Sequence, residues 1–320
     1  MPATAEGNTE HRGRRTAGMT ETRALLVDAF TDEPCAGNAA GVVPDADGLA
    51  DDQMQAIAAE LGASETAFVA DSDEADRRVR YFTPTTEVDL CGHATIASHA
   101  HLFADGGIEA GEHTLETNVG VLDIEVTDDG AVWMTQNAPE IREVDLSYER
   151  VARVTGTETA ALRGASDDLP LAVADTGLPF LVVPITYLSD LGDADPDFDA
   201  VEALADEVGA AGVYMFTFDA LGGESTLHGR AWVPGAGVDE DPVTGTASGA
   251  AGAYLERFGA FDDDTPEEMV FEQGHFVDRP GTVRVRAADG GAPAVGGTAV
   301  ETFDGELVVP EADEDDILEA

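Results

Sequence analysis

The chain has 320 residues, 43% hydrophobic and only 6% aromatic, enough to bury two ordinary aliphatic cores. Its 65 acidic residues face 16 basic ones, every one of them Arg, for a formal charge of -49, which excludes nucleic acid and anionic membranes as partners. The absence of Lys also excludes a pyridoxal phosphate Schiff base and the phosphate-binding Lys of a P-loop.

The acids are dispersed between apolar segments, so the charge marks an acid-covered folded surface rather than a disordered chain. Repulsion of that size calls for a salt-rich cytoplasm, where the Debye length falls to about 3 Å at 1 M. Two Cys residues are too few for a disulfide scaffold or a four-thiolate zinc site, and they fit a reducing interior. No apolar run is long enough to cross a bilayer as a helix. Residues 1–22 read as a polar, disordered extension without a secretory h-region, and Met19 is an alternative start. Residues 311–320 read as a solvated acidic tail.

In chain order, Leu25 to Phe30 predicts a buried strand, followed by the turn-rich "TDEPCAGNAAGVV". Met54, Ile57, Ala58 and Leu61 recur at helical spacing over Asp51 to Leu61, and "SETAFVA" reads as a strand behind them. Arg78 to Phe82 predicts a strand, Ala94 to Ala104 a helix, and "TLETNVGVLDIEV" with "AVWMTQ" a three-stranded meander. The second half opens near Arg142 with a helix from Tyr148 to Val154 and strands at Leu171 and Phe180. A surface helix over Phe198 to Val208 and strands at Val213 and Leu227 precede a helix from Gly245 to Phe258 and a strand-rich tail. The expectation is an α+β protein with units over 23–141 and 142–310.

The units share a weak repeat. "RYFTPTTEVDLCGHATIASHAHLFADGG" and "RAWVPGAGVDEDPVTGTASGAAGAYLERFGA" both run from Arg through a strand, a Pro, an acidic turn and a glycine into an Ala-rich helix. A helix small on most faces predicts enclosure by a sheet. Two such helices, facing each other, would aim their free N–H groups and partial positive charge into one cleft. Gly92 and Gly245 would let a ligand's oxygens approach the backbone. The alternative is ordinary capping, with Asp89 and Thr244 satisfying those amides.

Cys91, His93, His99 and His101 do not share a helix face, so no metal is expected, and His99 and His101 are expected at the surface. Cys91 at a helix start predicts a thiol of lowered pKa, available as base or nucleophile; otherwise it is a small buried hydrophobe. No dinucleotide fingerprint or GxSxG elbow is present.

The motifs "VDAFTDEPCAGNAAGVV", "LGASETAFV", "RYFTPTTEVDLCGHAT", "DEDPVTGTASGAAGAYL" and "EQGHFVDRPGTVRV" occur in order and resemble those of the phenazine-biosynthesis PhzF-like isomerases, in an acidic, haloarchaeal-type form. The resemblance implies the diaminopimelate epimerase-like fold: two pseudo-symmetric domains, each a curved sheet around a central helix, usually in a homodimer. It implies Glu65 as general acid/base, His93 and Asp241 as polar groups at the substrate, and Thr246 where a Ser is common. Ser64, Cys91, Gly92, Thr244, Gly245 and Thr246 would complete the binding site for a small carboxylate, with no cofactor. The phenazine enzymes read more like "AGHP" where this chain has "CGHAT", so their substrate does not carry over.

Two further readings stay open. One is an amino-acid racemase using Cys91, whose partner thiol should fall near Thr244; the other is a non-catalytic metabolite-binding protein.

Overall fold

The computed structural model describes residues 20–165, 169–261, 266–286 and 291–312. The expected extension over 1–22 and tail over 311–320 lie outside the described residues except at their inner edges.

The first half runs β1 (Glu21–Ala29), β2 (Asn38–Val43), α1 (Asp51–Leu61), β3 (Glu65–Ala70), β4 (Arg77–Phe82), β5 (Glu87–Val88), α2 (Gly92–Ala104), β6 (Gly111–Thr117), β7 (Gly120–Val126) and β8 (Val132–Thr135). After β9 (Glu140–Glu143), α3 (Tyr148–Thr155) and α4 (Thr159–Gly164), the second half continues with β10 (Ala172–Asp175), β11 (Pro179–Pro184), α5 (Leu188–Gly192), α6 (Phe198–Val208), β12 (Gly212–Thr217), β13 (Leu227–Val233), β14 (Val238–Asp241), α7 (Gly245–Arg257), β15 (Glu268–Gln273), β16 (Gly281–Arg286), β17 (Ala294–Gly297) and β18 (Ala299–Val308). The predicted helices at Asp51 and Phe198 keep their expected bounds, while α2 begins two residues before the predicted Ala94. Among the described residues no helix is long and apolar enough to cross a membrane.

The repeat is visible strand by strand. In the first half β2 lies parallel to β3, β3 antiparallel to β4, β4 antiparallel to β5 and parallel to β6, and β6 to β8 form the predicted meander. In the second half β11, β12, β13, β14, β15, β16 and β17 repeat that order and those directions. The registers match residue for residue: Ala40 opposes Glu65 as Phe180 opposes Gly212, and Tyr81 opposes Val88 as Ala231 opposes Asp241.

The halves are laced together. β8 pairs with β17, β9 crosses to β10, and β18 pairs with β1 from Ala29 opposite Ala299 to Glu21 opposite Val308. The expected boundary at 141/142 falls inside β9, and the chain's last strand completes the first half's sheet.

Each half closes around one helix. α2 packs on β1, β2, β3, β7, β8 and β18, and α7 on β10, β11, β16 and β17. Every residue of α2 from Ala94 to Leu102 is buried, and α7 is buried without a break from Ala247 to Leu255. Small residues make this possible: a Cβ on Gly252 would meet Val285 at 2.7 Å, and one on Gly249 would overlap Gln136. The same enclosure overturns the expected surface position of His99 and His101, which are 2% and 1% exposed. A helix wrapped on every side has no solvent face to give them. His99 Nδ1 pairs with the Thr95 carbonyl at 3.0 Å, and His101 Nδ1 meets the Glu301 carboxylate of β18 at 2.6 Å. Burial depresses the His99 pKa to about 4.

Candidate active site

The starts of α2 and α7 both lie at the boundary between the halves. Their N-cap residues, Cys91 and Thr244, are extended, and neither side chain caps its helix. The alternative cap at Thr244 does not form, its Oγ1 donating instead to Asp241 Oδ2 at 2.5 Å. The first turn of each helix therefore keeps amide donors and a partial positive charge free of an N-cap oxygen.

A cavity of about 380 Å3 opens here, lined on one side by Ser64, Glu65 and His93 from the first half and by Asp241 and Thr244 from the second. His93 Nε2 stands 3.5 Å from Glu65 Oε2 and 3.4 Å from Ser64 Oγ. Its Nδ1 lies 3.4 Å from Cys91 Sγ. β3 begins at Glu65, so the carboxylate stands at the start of the strand, in the cavity where the resemblance implied it. Cys91, Gly92, Gly245 and Thr246 do not line the cavity. Gly245 has a packing reason for its lack of a side chain: a Cβ there would meet the Phe30 ring at 3.0 Å.

Burial and the negative charge of Glu65 push the Cys91 thiol well above its usual pKa, although the His93 and Ala94 amides pull the other way. This reverses the expected lowering: the helix dipole is outweighed because the thiol is enclosed and faces two carboxylates. Burial also raises the Asp241 pKa, against the opposing effects of His93, Thr244 and Asn38. The second Cys is remote in kind, exposed in the β1–β2 loop, and donates its backbone N–H to Asp28. Among the described residues Glu65, Cys91 and His93 are the group whose donor atoms, within 4.8 Å of one another, could share a metal ion. His99 and His101 belong to the core instead.

Two residues that hold the site were not singled out in the sequence. Asn38, buried on β2, donates from Nδ2 to Asp241 Oδ1 and to the Val243 carbonyl, both at 2.9 Å, and so ties the first half to the second. Gln273, at the end of β15, donates to the Asp241 carbonyl at 2.8 Å and accepts from the Thr244 amide at 3.1 Å. Their signal was available: each is an uncharged amide inside a motif, "AGNAAG" and "EQGH", at a place otherwise apolar or glycine-rich.

The phenazine biosynthesis-like protein family (PhzC-PhzF) matches residues 27–305. The uncharacterized isomerase YfhB of Bacillus subtilis is 35% identical over 278 residues, covering 85% of this chain and 93% of its own. The uncharacterized isomerase YddE of Escherichia coli K12 is 37% identical over 295 residues, covering 88% and 97%. A PhzF-family phenazine biosynthesis protein of Bacillus anthracis superposes with a TM-score of 0.82 at 34% identity, over 91% of this chain and all of its own. A hydroxyproline epimerase of Agrobacterium vitis shares the fold at a TM-score of 0.57 and 15% identity, over 90% and 91%. With the enclosed helices, the paired half-sheets and these relatives in view, the chain is an isomerase belonging to the phenazine biosynthesis-like family, with the diaminopimelate epimerase-like fold.

Proposed function

We propose that the protein is a cofactor-independent isomerase in which Glu65 moves a proton, and with it a double bond, on a small carboxylic acid held between the halves. Glu65 removes a hydrogen from a carbon conjugated with the substrate's carboxylate, and the electron pair of the broken C–H bond spreads onto the carboxylate oxygens. The double bond shifts, and Glu65 returns the proton to a second carbon, so substrate and product are isomers and nothing is oxidised. The uncapped ends of α2 and α7 are suited to the developing negative charge. Asp241, fixed by the donors of Asn38 and Thr244, is suited to position the substrate at the polar wall. His93 beside Glu65 orients it.

One observation carries this reading: Glu65, the carboxylate beside His93 at the polar wall, has no counterpart across the pseudo-dyad. The position equivalent to Glu65 is Gly212, where a Cβ would stand 2.3 Å from the Trp232 carbonyl oxygen. The position equivalent to Cys91 is Thr244. A two-thiol racemase lacks its second thiol.

The test is solvent deuterium wash-in across a panel of cyclic and amino carboxylic acids. Glu65→Gln should abolish exchange and Cys91→Ser should keep it. The opposite pattern would establish the racemase reading, and tight binding without exchange of any acid would leave a metabolite-binding protein.

The proposal includes a homodimer of two-domain protomers in a salt-rich cytoplasm, the salt adaptation being supported by the formal charge of -49. Thermal stability should rise between dilute buffer and molar KCl, and indifference to salt would refute the adaptation. Sedimentation at molar KCl should return a dimer mass.

A further inference from the structure

Apart from its polar residues the cavity is largely apolar: Leu178, just before β11, Phe180 of β11, Ala210, Val233 and Val238 line it. Leu178 is 43% exposed and Val238 38%, and both belong to this one cavity. The repeat sharpens the point, because Leu178 occupies the place that Asn38 holds in the first half and Phe180 that of Ala40. At the rim stand the exposed carboxylates of Glu202 and Asp206 on α6. Among the described residues no Arg lines the cavity, and His93 is the one lining side chain able to carry positive charge.

These features select a ligand by charge and by shape. One carboxylate can sit beside His93 and Thr244, the helix-start residues that line the cavity, but a second would face either aliphatic side chains that offer no donor or the carboxylates of Glu202 and Asp206. A ring or branched hydrocarbon body would instead cover Leu178 and Val238 and remove their exposed surface from water. The volume of about 380 Å3 admits such a body together with its acid group.

We infer that the substrate is a monocarboxylate with an apolar, ring-sized or branched body, and that Leu178, Phe180 and Val238 set this preference while Glu202 and Asp206 reject dicarboxylates. The inference rests on the isomerase reading for the placement of the carboxylate.

Calorimetric titration of the full chain at molar KCl with 1-cyclohexene-1-carboxylate and with phthalate tests it. The cyclohexene acid should bind about tenfold or more tightly than phthalate. Leu178→Asp, at an exposed position, should weaken the cyclohexene acid by about tenfold, and Glu202→Gln with Asp206→Asn should narrow the gap to phthalate. Phthalate binding as well as the cyclohexene acid, no effect of Leu178→Asp, or no binding of either acid would overturn the inference. Deuterium wash-in separates the two claims. Binding of the cyclohexene acid without Glu65-dependent exchange would sink the isomerase reading alone, whereas Glu65-dependent exchange confined to dicarboxylates would sink the apolar-body inference alone.

Discussion

The two halves share a scaffold and differ at the site. Arg80 forks onto Glu87 at 2.8 and 2.7 Å and lies over the Phe82 ring; Arg230, at the equivalent register, forks onto Glu240 at 2.9 and 2.6 Å and lies over Trp232. Glu116 accepts from Ser72 and pairs with Arg78, just as Glu272 accepts from Ser225 and pairs with His228. Thr95 and Ser248 both donate back to the carbonyl at the start of their helix. At the cleft the correspondence stops. Glu65 faces Gly212, Asp241 faces Val88, and Asn38 faces Leu178 across the repeat. The pairs that fold each half occur in duplicate, whereas the residues lining the cavity do not.

The largest test of that asymmetry is Glu65→Gln, which should lower proton exchange by about 100- to 10,000-fold without moving the melting temperature. Next come the duplicated ion pairs, which differ in burial: Arg230 and Glu240 are each 9% exposed, Arg80 and Glu87 are 18% and 30%. Arg230→Met should cost about 3–5 kcal/mol, because it strands a buried carboxylate and also drops bonds to the Leu191 and Ala194 carbonyls. Arg80→Met should cost about 1 kcal/mol. Equal losses in denaturant melts would show that the two copies carry the same load.

His99 has no equivalent in the second half, where Gly252 takes its place on the helix. Its pKa falls from 6.5 to about 4 on folding, so the neutral ring stabilises the fold above pH 6.5 and that contribution is lost as pH falls toward 4. The loss amounts to about 3 kcal/mol. His99→Leu should flatten stability over this window, read from urea midpoints at successive pH values. A more modest loss than that of Arg230→Met is expected from Asn38→Leu, which copies the second half's Leu178 into the first. It removes donors to Asp241 and to the Val243 carbonyl and should cost about 1–3 kcal/mol. A neutral result would show that the Asn38 bridge does not hold the halves in register.

Much of this was legible in the chain. Helix periods placed α1 and α6, and the repeated Arg-strand-Pro-acid-Gly order announced the duplication. The misreadings share a cause. His99 and His101 look like surface residues on a lone helix, and Cys91 at a helix start looks like an acidic thiol. Both judgements consider only the local element. The sheet that wraps α2 and the carboxylates brought in from β3 and β14 reverse them.

Sequence by itself determined the elements, the duplication, the acid-rich surface and the absence of any Lys-based chemistry, because propensity, period and composition act over a few neighbouring residues. Only the tertiary structure decided that Asn38 reaches Asp241 across 203 positions, that the Cys91 thiol is pushed up, and that Glu65 shares a cavity with Leu178 and Phe180. Those outcomes depend on desolvation and on charges from distant segments, which exist only once the two half-sheets have closed on their helices and on each other.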